Sequence, residues 1–381
     1  MRVAIYHNIL WSKYKGVVFS QVHRDGNPRG ITPSFIQIAE TEDIRVGLGA
    51  VDLWYHQYPF RLLFRGAYDN ASVIRRIAAL ARDLYKNPVD LVVIPGYHRA
   101  EYWAMLGVCM FLRRKRAVFC DSTSVDRPKV AWRELGKRWF FGLCNGFFCY
   151  GIRSKQYLMS YGVRESKIAY RCQAAALPRD YSVSNVIAGY ESWSGREDEP
   201  LFLYVGRFAA EKGLDDVFAA FCMVYKTNSK ARLDLVGSGP LLKQLEARVA
   251  GLNMSHAISF LGSKNLDEIA PLFMRSTALV LPSHSEPWGL VINEALSYGC
   301  PVVVSSACGC VPDLALEGVT GYSFEAGDVD ALARAMLSIT KFSNERMAVA
   351  RRCLEVISNF TPQRAATQIL DGCARMMGTA G

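Results

Sequence analysis

Two cations, Arg207 and Lys212, lie five positions apart in residues 204–213 (YVGRFAAEKG), directly after an apolar run that predicts a strand. Arginine presents a planar fork of donors and lysine a mobile point charge, so together they can neutralise a diphosphate. The alternative is an exposed pair in which Glu211 forms a salt bridge with a neighbour. This motif alone leaves both interpretations open.

Two carboxylates, Glu286 and Glu294, lie eight positions apart in residues 281–296 (LPSHSEPWGLVINEAL). The segment predicts a strand end, a loop over residues 283–288 and a helix to about residue 298, with Pro287 in the first helical turn. The start of such a helix presents free amides and the positive end of the helix dipole. Together these form an anion site.

The amides of Gly289 and Leu290 would face the anion. Glu286 beside them needs a donor such as a sugar hydroxyl, because an unpartnered carboxylate next to an anion is costly. Glu294 lies one turn beyond Leu290 on the same face, where it could accept hydrogen bonds from ribose hydroxyls. Alternatively, Glu286 only caps the helix and Glu294 is a solvated helix residue.

A glycine-rich turn, residues 236–240 (VGSGP), also follows a predicted strand. Gly237 and Gly239 would let the backbone approach a ligand closely, and a tight strand-to-helix turn explains them equally well. The third glycine of a GxGxxG fingerprint is missing. Residues 305–312 and 317–322 are predicted to form the wall and scaffold of the site and to take no part in its chemistry.

Short apolar runs alternate with helical patterns along the chain, which predicts an α/β fold with parallel sheets buried on both faces. Predicted strands lie at residues 3–6, 91–94, 117–120, 201–205, 232–236, 278–281 and 301–305. The polar residues 176–200 divide them into two series and are predicted to be a linker. Thr361 and Pro362 predict the start of a helix that ends at residue 377. We expect two doubly wound domains facing each other across a cleft, with function in the loops after the strands.

The composition indicates a folded chain of two domains, because 381 residues suffice for two cores. The longest apolar run, residues 103–112, is about half as long as a membrane-spanning helix and predicts a buried amphipathic helix. No signal-peptide pattern is evident at the N-terminus. The eleven cysteines form no CxxC pair and predict reduced core thiols in the cytosol, with Cys308 and Cys310 as a less favoured redox or metal pair.

The net charge of +10 is unevenly distributed. Residues 1–183 contain 28 basic and 14 acidic side chains, whereas residues 184–381 contain 17 and 21. This asymmetry indicates an anionic partner on one side, for which nucleic acid, an anionic membrane or a phosphorylated acceptor would fit. A solvated basic surface without a partner is the alternative.

Basic and aromatic side chains are combined in residues 113–116 (RRKR) and 129–148 (KVAWRELGKRWFFGLCNGFF). Such surfaces suit an anionic membrane face, and we hypothesise that the protein rests on the cytoplasmic leaflet. A basic helix beside a buried strand explains the pattern equally well.

The four loops of the second half resemble family 4 of the retaining glycosyltransferases, which have the GT-B fold. The strings GRFAAEKG, LVGSGP, SEPWGLVINEALSYGCPVV and EGVTGYSFEAGDVDALARAM carry the resemblance, and the paired glutamates are its most specific mark. It implies an α/β, GT-B architecture of two Rossmann-like domains. Residues 1–181, with the helix in 362–381, would bind the acceptor, and residues 182–361 the donor.

The resemblance also implies roles for the side chains. Arg207 and Lys212 would hold the donor diphosphate and stabilise the leaving nucleoside diphosphate, while Glu286 would contact the transferred sugar. The predicted site consists of the catalytic candidates Glu286, Arg207, Lys212 and His98 and the donor-binding candidates Gly206, Gly237, Gly239, Pro287, Trp288, Gly289, Leu290 and Glu294. Negative charge grows on the diphosphate as the glycosidic bond breaks, and pre-placed cations and amides stabilise it.

The implied activity is that of a retaining, hexosyltransferase-type enzyme. It would use a UDP- or GDP-linked sugar and a glycan or lipid-linked acceptor in the assembly of surface polysaccharide or glycoconjugates. The family generally needs no metal, and we expect no cofactor, no metal site and no nucleic-acid partner. Asp328 and Asp330 have the spacing of a metal-binding DxD motif. They lie at the start of a predicted helix, however, where helix capping explains them better. The expected location is the cytoplasm or the inner face of its membrane.

The N-terminal half resembles the family only weakly. Many members have a glycine pair after the first strand, whereas residues 7–16 (HNILWSKYKG) have one late glycine, so Lys13 or Lys15 would substitute. His98 follows a predicted strand and would orient the acceptor or the sugar, or be structural.

Two other functions remain open from the sequence. A sugar-nucleotide epimerase of the same fold would need an internal acid–base set, which we do not find. A non-catalytic anion- or nucleic-acid-binding protein would leave the loops of the second half unexplained.

Overall fold

A computed structural model describes residues 1–45, 49–124, 131–192 and 199–378. The chain folds into two compact units. Unit 1 comprises Met1–Ala176 and Phe360–Gly381, and unit 2 comprises Leu177–Asn359. The sequence predicted domain boundaries after residues 181 and 361, whereas the units divide after residues 176 and 359.

Unit 1 contains, in its described residues, a seven-stranded parallel sheet in the order β3-β2-β1-β4-β5-β6-β7. Its strands are β1 (Arg2–Ile9), β2 (Thr32–Ala39), β3 (Phe60–Leu62), β4 (Leu91–Ile94), β5 (Lys115–Cys120), β6 (Gly146–Cys149) and β7 (Ile168–Ala169). Its helices are α1 (Lys13–Gly26), α2 (Val73–Lys86), α3 (Ala100–Phe111), α4 (Ala131–Gly142), α5 (Ile152–Ser160) and α14 (Pro362–Met377). Strands β4 and β6 are buried at every residue, as expected for a parallel sheet covered on both faces.

Helix α14 belongs to unit 1 although all of unit 2 precedes it in the chain. Thr361 accepts a hydrogen bond from the amide of Arg364 and Pro362 is the first helical residue, which confirms the predicted start. The helix packs on α1 and buries Ala366 and Ile369 in the core that also contains strand β1.

Unit 2 contains, in its described residues, a six-stranded parallel sheet in the order β10-β9-β8-β11-β12-β13. Its strands are β8 (Leu201–Val205), β9 (Arg232–Val236), β10 (Ile258–Gly262), β11 (Ala278–Leu281), β12 (Val302–Ser305) and β13 (Gly321–Phe324). Its helices are α6 (Val183–Glu191), α7 (Leu214–Thr227), α8 (Leu242–Gly251), α9 (Leu266–Arg275), α10 (Leu290–Ser297), α11 (Val311–Leu314), α12 (Val329–Ile339) and α13 (Arg346–Ile357). The strand order reverses between β8 and β11, which is where open α/β sheets bind ligands.

The predicted linker, residues 176–200, is wrong in part because it contains helix α6. Ser182 caps the helix by accepting from the amide of Asn185, and Val186 and Tyr190 are buried on its inner face. The Tyr190 hydroxyl donates to the carbonyl of Tyr298 at 3.0 Å. The sparse apolar pattern hid the helix, and residues 193–198 lie outside the described residues.

The cysteine and membrane predictions have clear outcomes. All eleven cysteines are free thiols within the described residues, and ten of them are buried. No helix among the described residues is both long and apolar enough to cross a bilayer. The apolar run at residues 103–112 is helical as predicted, but Met110 and Phe111 at its end are exposed.

Candidate functional site

The carboxyl edge of the unit 2 sheet gathers the loops that the sequence singled out. Hydrogen bonds fix these loops to one another. The amide of His284 donates to the carbonyl of Glu211 at 2.9 Å, and the amide of Gly309 donates to the carbonyl of Glu286 at 2.9 Å. The loops after β8, β11 and β12 therefore form one connected surface.

Lys212 and Glu286 form an ion pair at the point where the strand order reverses. Lys212 follows β8, Glu286 follows β11, and their side chains are 18% and 19% exposed. Gly213 makes this approach possible, because its φ is +65° and a Cβ there would lie 2.4 Å from the carbonyl oxygen of Pro282. The sequence predicted a sugar hydroxyl as the partner of Glu286, and the structure gives it an ammonium group.

Arg207 extends from the same loop and forms an ion pair with Glu211, the neighbour named in the surface-pair alternative. Its side chain is 50% exposed, and the single contact leaves other guanidinium donors for a ligand. A backbone hydrogen bond and then Arg207 hold the pKa of Glu211 below its usual value. The carboxylate therefore stays ionised and occupies part of the guanidinium in this ion pair.

The glycines predicted to bind a donor also have a packing role. A Cβ on Gly237 would lie 1.9 Å from the carbonyl oxygen of Gly206, and one on Gly239 would lie 2.3 Å from that of Phe208. The absence of side chains at these glycines lets the turn after β9 pack closely against the loop that carries Arg207, where the amide of Phe208 donates to the carbonyl of Ser238 at 2.8 Å.

Helix α10 begins later than the sequence predicted. Gly289 is its N-cap, with a left-handed φ of +94°, and the first turn is Leu290, Val291 and Ile292. Pro287 therefore precedes the helix and is not in its first turn, which corrects that prediction. Trp288 is buried, and its indole N–H donates to Asn293 Oδ1 at 2.7 Å, which fixes the loop to the helix. The amides of the first turn lie beside the loop that contains Glu286.

Glu294 lies half-buried on α10, and its carboxylate has no hydrogen-bond or ion-pair partner among the described residues. Burial alone raises its pKa to about 7. This environment does not match a solvated helix residue. A ligand that donates to this carboxylate would favour its ionised form.

The three unit 1 residues that the sequence singled out, His98, Lys13 and Lys15, differ from one another in exposure and contacts. His98 is exposed, between β4 and α3, and its ring contacts that of Tyr102 edge-on. Lys13 is partly exposed and lies 3.7 Å from Asp52. Lys15 is 2% exposed, and its Nζ has no hydrogen-bond partner among the described residues.

Lys15 is held by aromatic rings. Its Nζ lies 4.3 Å from the ring centroid of Phe119 and 4.7 Å from that of Tyr150. Burial lowers the pKa of the ammonium group to about 8.

Sequence reasoning missed two features of the unit 2 loops. His284 Nε2 lies 2.6 Å from Asp216 Oδ2, and Ser283 Oγ is buried without a hydrogen-bond partner among the described residues. Ser283 and His284 lie in residues 281–296, the segment that contains the two glutamates. Their place in that segment was the only signal that the sequence offered.

No cluster of three or more metal-ligating side chains occurs among the described residues. Asp328 accepts a hydrogen bond from the amide of Ala331 at 2.8 Å and is the N-cap of α12, which confirms its predicted capping role.

The two parallel-sheet, Rossmann-like units define the fold as that of GT-B glycosyltransferases. The predicted α/β class and this fold are confirmed, because solved glycosyltransferases align over nearly the whole chain. A lipopolysaccharide outer core galactosyltransferase, WaaB in its apo form, matches with a TM-score of 0.73 and 16% identity over 98% of this chain and 99% of its own. Alr3699/HepE of Anabaena in complex with UDP and glucose matches with a TM-score of 0.69 and 15% identity over 98% and 99%.

Sequence similarity concentrates in unit 2. Residues 178–353, just under half of the chain, match the family model described as glycosyl transferases group 1. The sulfoquinovosyl transferase SQD2 of Arabidopsis thaliana is 30% identical over 179 residues, which are 46% of this chain and 33% of that relative. The match thus spans about a third of the relative's length. Residues 178–353 are therefore similar in sequence to group 1 glycosyl transferases.

Proposed function

We propose that the protein is a retaining glycosyltransferase that moves a sugar from a nucleotide-linked donor, bound by unit 2, to an acceptor. The observation that carries this proposal is the Lys212–Glu286 pair beside the open start of α10, at the strand-order reversal of unit 2. The cation and the amides there suit the diphosphate of a nucleotide-sugar, and the carboxylate suits the hydroxyls of its sugar.

The leaving diphosphate would be stabilised by the protein's own charges. Lys212 has three N–H donors, so it can keep Glu286 and still donate to a phosphate oxygen. Arg207 and the first amides of α10 would supply further donors, and the loss of one such contact typically costs about 3 kcal/mol, or about a hundredfold in rate. We propose that these groups act without a metal ion, which predicts full activity after treatment with EDTA.

The sugar and ribose would be oriented by the two glutamates. Glu286 would accept from sugar hydroxyls while Lys212 holds its position. Glu294, which lacks a partner among the described residues, would accept from the ribose hydroxyls. His98 would orient the acceptor or the transferred sugar.

The donor would be UDP- or GDP-linked, and the acceptor a glycan or a lipid-linked glycan in surface polysaccharide or glycoconjugate assembly. The UDP complex of one structural relative and the lipopolysaccharide acceptor in another's name support this choice. Cytoplasmic action, at or near the membrane, agrees with eleven free thiols. The epimerase and the non-catalytic binding protein are not favoured, because the comparisons are with transferases.

The test combines binding with turnover. A thermal-shift and calorimetric screen against UDP, GDP and ADP identifies the base, and release of nucleoside diphosphate is then followed with candidate acceptors. NMR of the product linkage reports whether the donor's anomeric configuration is kept. Failure of every nucleoside diphosphate to bind would contradict the proposal, and an inverted product would contradict retention.

A further inference from the structure

Helices α3 and α4 share an exposed apolar face on unit 1. Trp103 of α3 stacks on Trp139 of α4 with ring centroids 5.7 Å apart and an interplanar angle of 17°. This contact joins the helices and leaves Trp139 59% exposed. Trp103 also packs against the core of unit 1, whereas the side chain of Trp139 faces solvent.

The exposed side chains follow helical spacing. On α4, Trp132, Leu135 and Trp139 stand at i, i+3 and i+7 and therefore share one face. Trp132 is 72% exposed and Leu135 70%. On α3, Met110 and Phe111 lie two turns beyond Trp103 and are 41% and 84% exposed. We call these five exposed residues, Met110, Phe111, Trp132, Leu135 and Trp139, the aromatic face.

Exposed cations border the aromatic face. Arg133 and Arg138 lie on α4, and Arg113 and Lys115 follow Phe111 closely. The acidic residue of α4, Glu134, is partly buried and bonded to Lys137 at 2.8 Å and to Tyr161. The charge presented to solvent by the described residues of α4 is therefore positive.

We propose that the aromatic face inserts into the headgroup region of an anionic lipid bilayer, with the bordering arginines and lysine on lipid phosphates. Tryptophan suits this interface because its apolar ring and polar N–H match the two sides of the boundary. Each cation near an anionic bilayer contributes about 1 kcal/mol. A nucleic acid would use the cations and stack on the rings, but Leu135 and Met110 would gain nothing from it. Part of the predicted basic segment, Lys129 and Val130, lies outside the described residues.

The first test is co-sedimentation of the full chain with phosphatidylcholine vesicles that contain or lack phosphatidylglycerol. Two double variants remove either apolar anchors or charge: Trp132→Ser with Leu135→Ser, and Arg133→Glu with Arg138→Glu. Matched controls on helix α2 are Ile74→Ser with Tyr85→Ser, and Arg75→Glu with Arg82→Glu, which change equally exposed residues. We expect the wild type to prefer anionic vesicles and each α4 variant to lose at least about tenfold in partitioning, with the controls unchanged.

A second test reports insertion without relying on loss of binding. Lipids brominated in the acyl chains quench tryptophan fluorescence on contact. Trp132→Phe should still bind vesicles and lose part of the quenching seen in the wild type, whereas an electrostatic contact alone would give no quenching in either protein.

Three results would overturn the proposal: equal binding to neutral and anionic vesicles, wild-type partitioning of both α4 variants, or RNA binding that the α4 variants lose while vesicle binding is absent. Circular dichroism and thermal unfolding like those of the wild type show that the α4 variants are folded, because α4 lies in unit 1 and the nucleotide binds to unit 2. Nucleoside diphosphate binding by these variants should also be unchanged. That result separates this proposal from the transferase function, because Arg207→Ala should weaken diphosphate binding and leave vesicle binding intact.

Discussion

The side chain of Lys212 reaches across the strand-order reversal of unit 2 to the carboxylate of Glu286, 74 positions along the chain. Each charge neutralises the other in a partly buried setting, so the pair can exist there before any ligand arrives. A diphosphate that binds nearby meets an ammonium group whose position is already fixed.

Replacement of Glu286 by alanine should separate chemistry from binding. We expect transfer to fall by about a hundredfold or more, because the sugar loses its carboxylate. Nucleoside diphosphate binding should be unchanged or tighter, since Lys212 loses its intramolecular partner. Steady-state transfer and calorimetry measure the two effects, with Glu246→Ala on α8 as the control. Full transfer in Glu286→Ala would refute the assigned role.

Arg207→Ala should weaken nucleoside diphosphate binding by about tenfold to a hundredfold, the usual effect of removing a hydrogen bond between charged groups. Glu211→Ala should not weaken it, because Glu211 competes for the guanidinium. Arg248→Ala, whose side chain is 58% exposed and pairs loosely with Asp215 at 3.9 Å, is the control. Equal affinities for all variants, measured by calorimetry, would remove Arg207 from the site.

Glu294 should make nucleotide binding pH-dependent. Its pKa of about 7 lies above the usual 4.5, so between these values the native state holds a proton that the unfolded state has lost. The free energy of unfolding therefore falls as pH rises from about 4.5 to 7. Ribose hydroxyls bind the ionised form, so affinity should increase over the same range, by at most about tenfold per pH unit, and level off above it.

The control for this pH dependence is Glu294→Gln. The ligand's own phosphate also titrates near pH 6, so only the difference in slope between wild type and variant reports on Glu294. Parallel slopes in calorimetric titrations from pH 5 to 8 would exclude it as the titrating group.

Lys15→Met should stabilise the protein at pH 7. The pKa of the buried ammonium, about 8, lies below its value of 10.5 in the unfolded chain, so its charge opposes folding below pH 8. We expect a gain of about 1–3 kcal/mol that diminishes between pH 8 and 10.5. Urea unfolding at several pH values measures it, with Lys13→Met as the partly exposed control. A loss of stability in Lys15→Met would contradict the burial argument.

The sequence predicted the fold well where local pattern determines structure. The apolar runs at residues 201–205 and 278–281 coincide with β8 and β11, and Thr361 begins α14 as predicted. Helix α6 was missed because tertiary packing of Val186 and Tyr190, rather than a strong periodic pattern, determines it. The start of α10 was misplaced because Gly289, in a left-handed conformation, overrides the preference of Pro287 for a first turn.

The sequence indicated candidate residues for the site, but it did not indicate which side chains contact one another. Motif positions indicated Arg207, Lys212 and both glutamates, whereas the partner of Glu286 depends on which strands become neighbours. The burial of Lys15 likewise depends on Phe119 and Tyr150, which are distant in sequence. Pairings of this kind follow from sheet order, which a single sequence does not encode locally.

Because α14 completes unit 1 from beyond unit 2, the order of synthesis constrains the order of folding. The ribosome translates residues 177–359 in full before the helix that covers α1 emerges, so unit 2 can fold first while one side of unit 1 stays open. During that interval Ala366, Ile369 and their partners on α1 are not yet buried together. A nascent chain halted just before residue 362 should therefore recruit chaperones through unit 1.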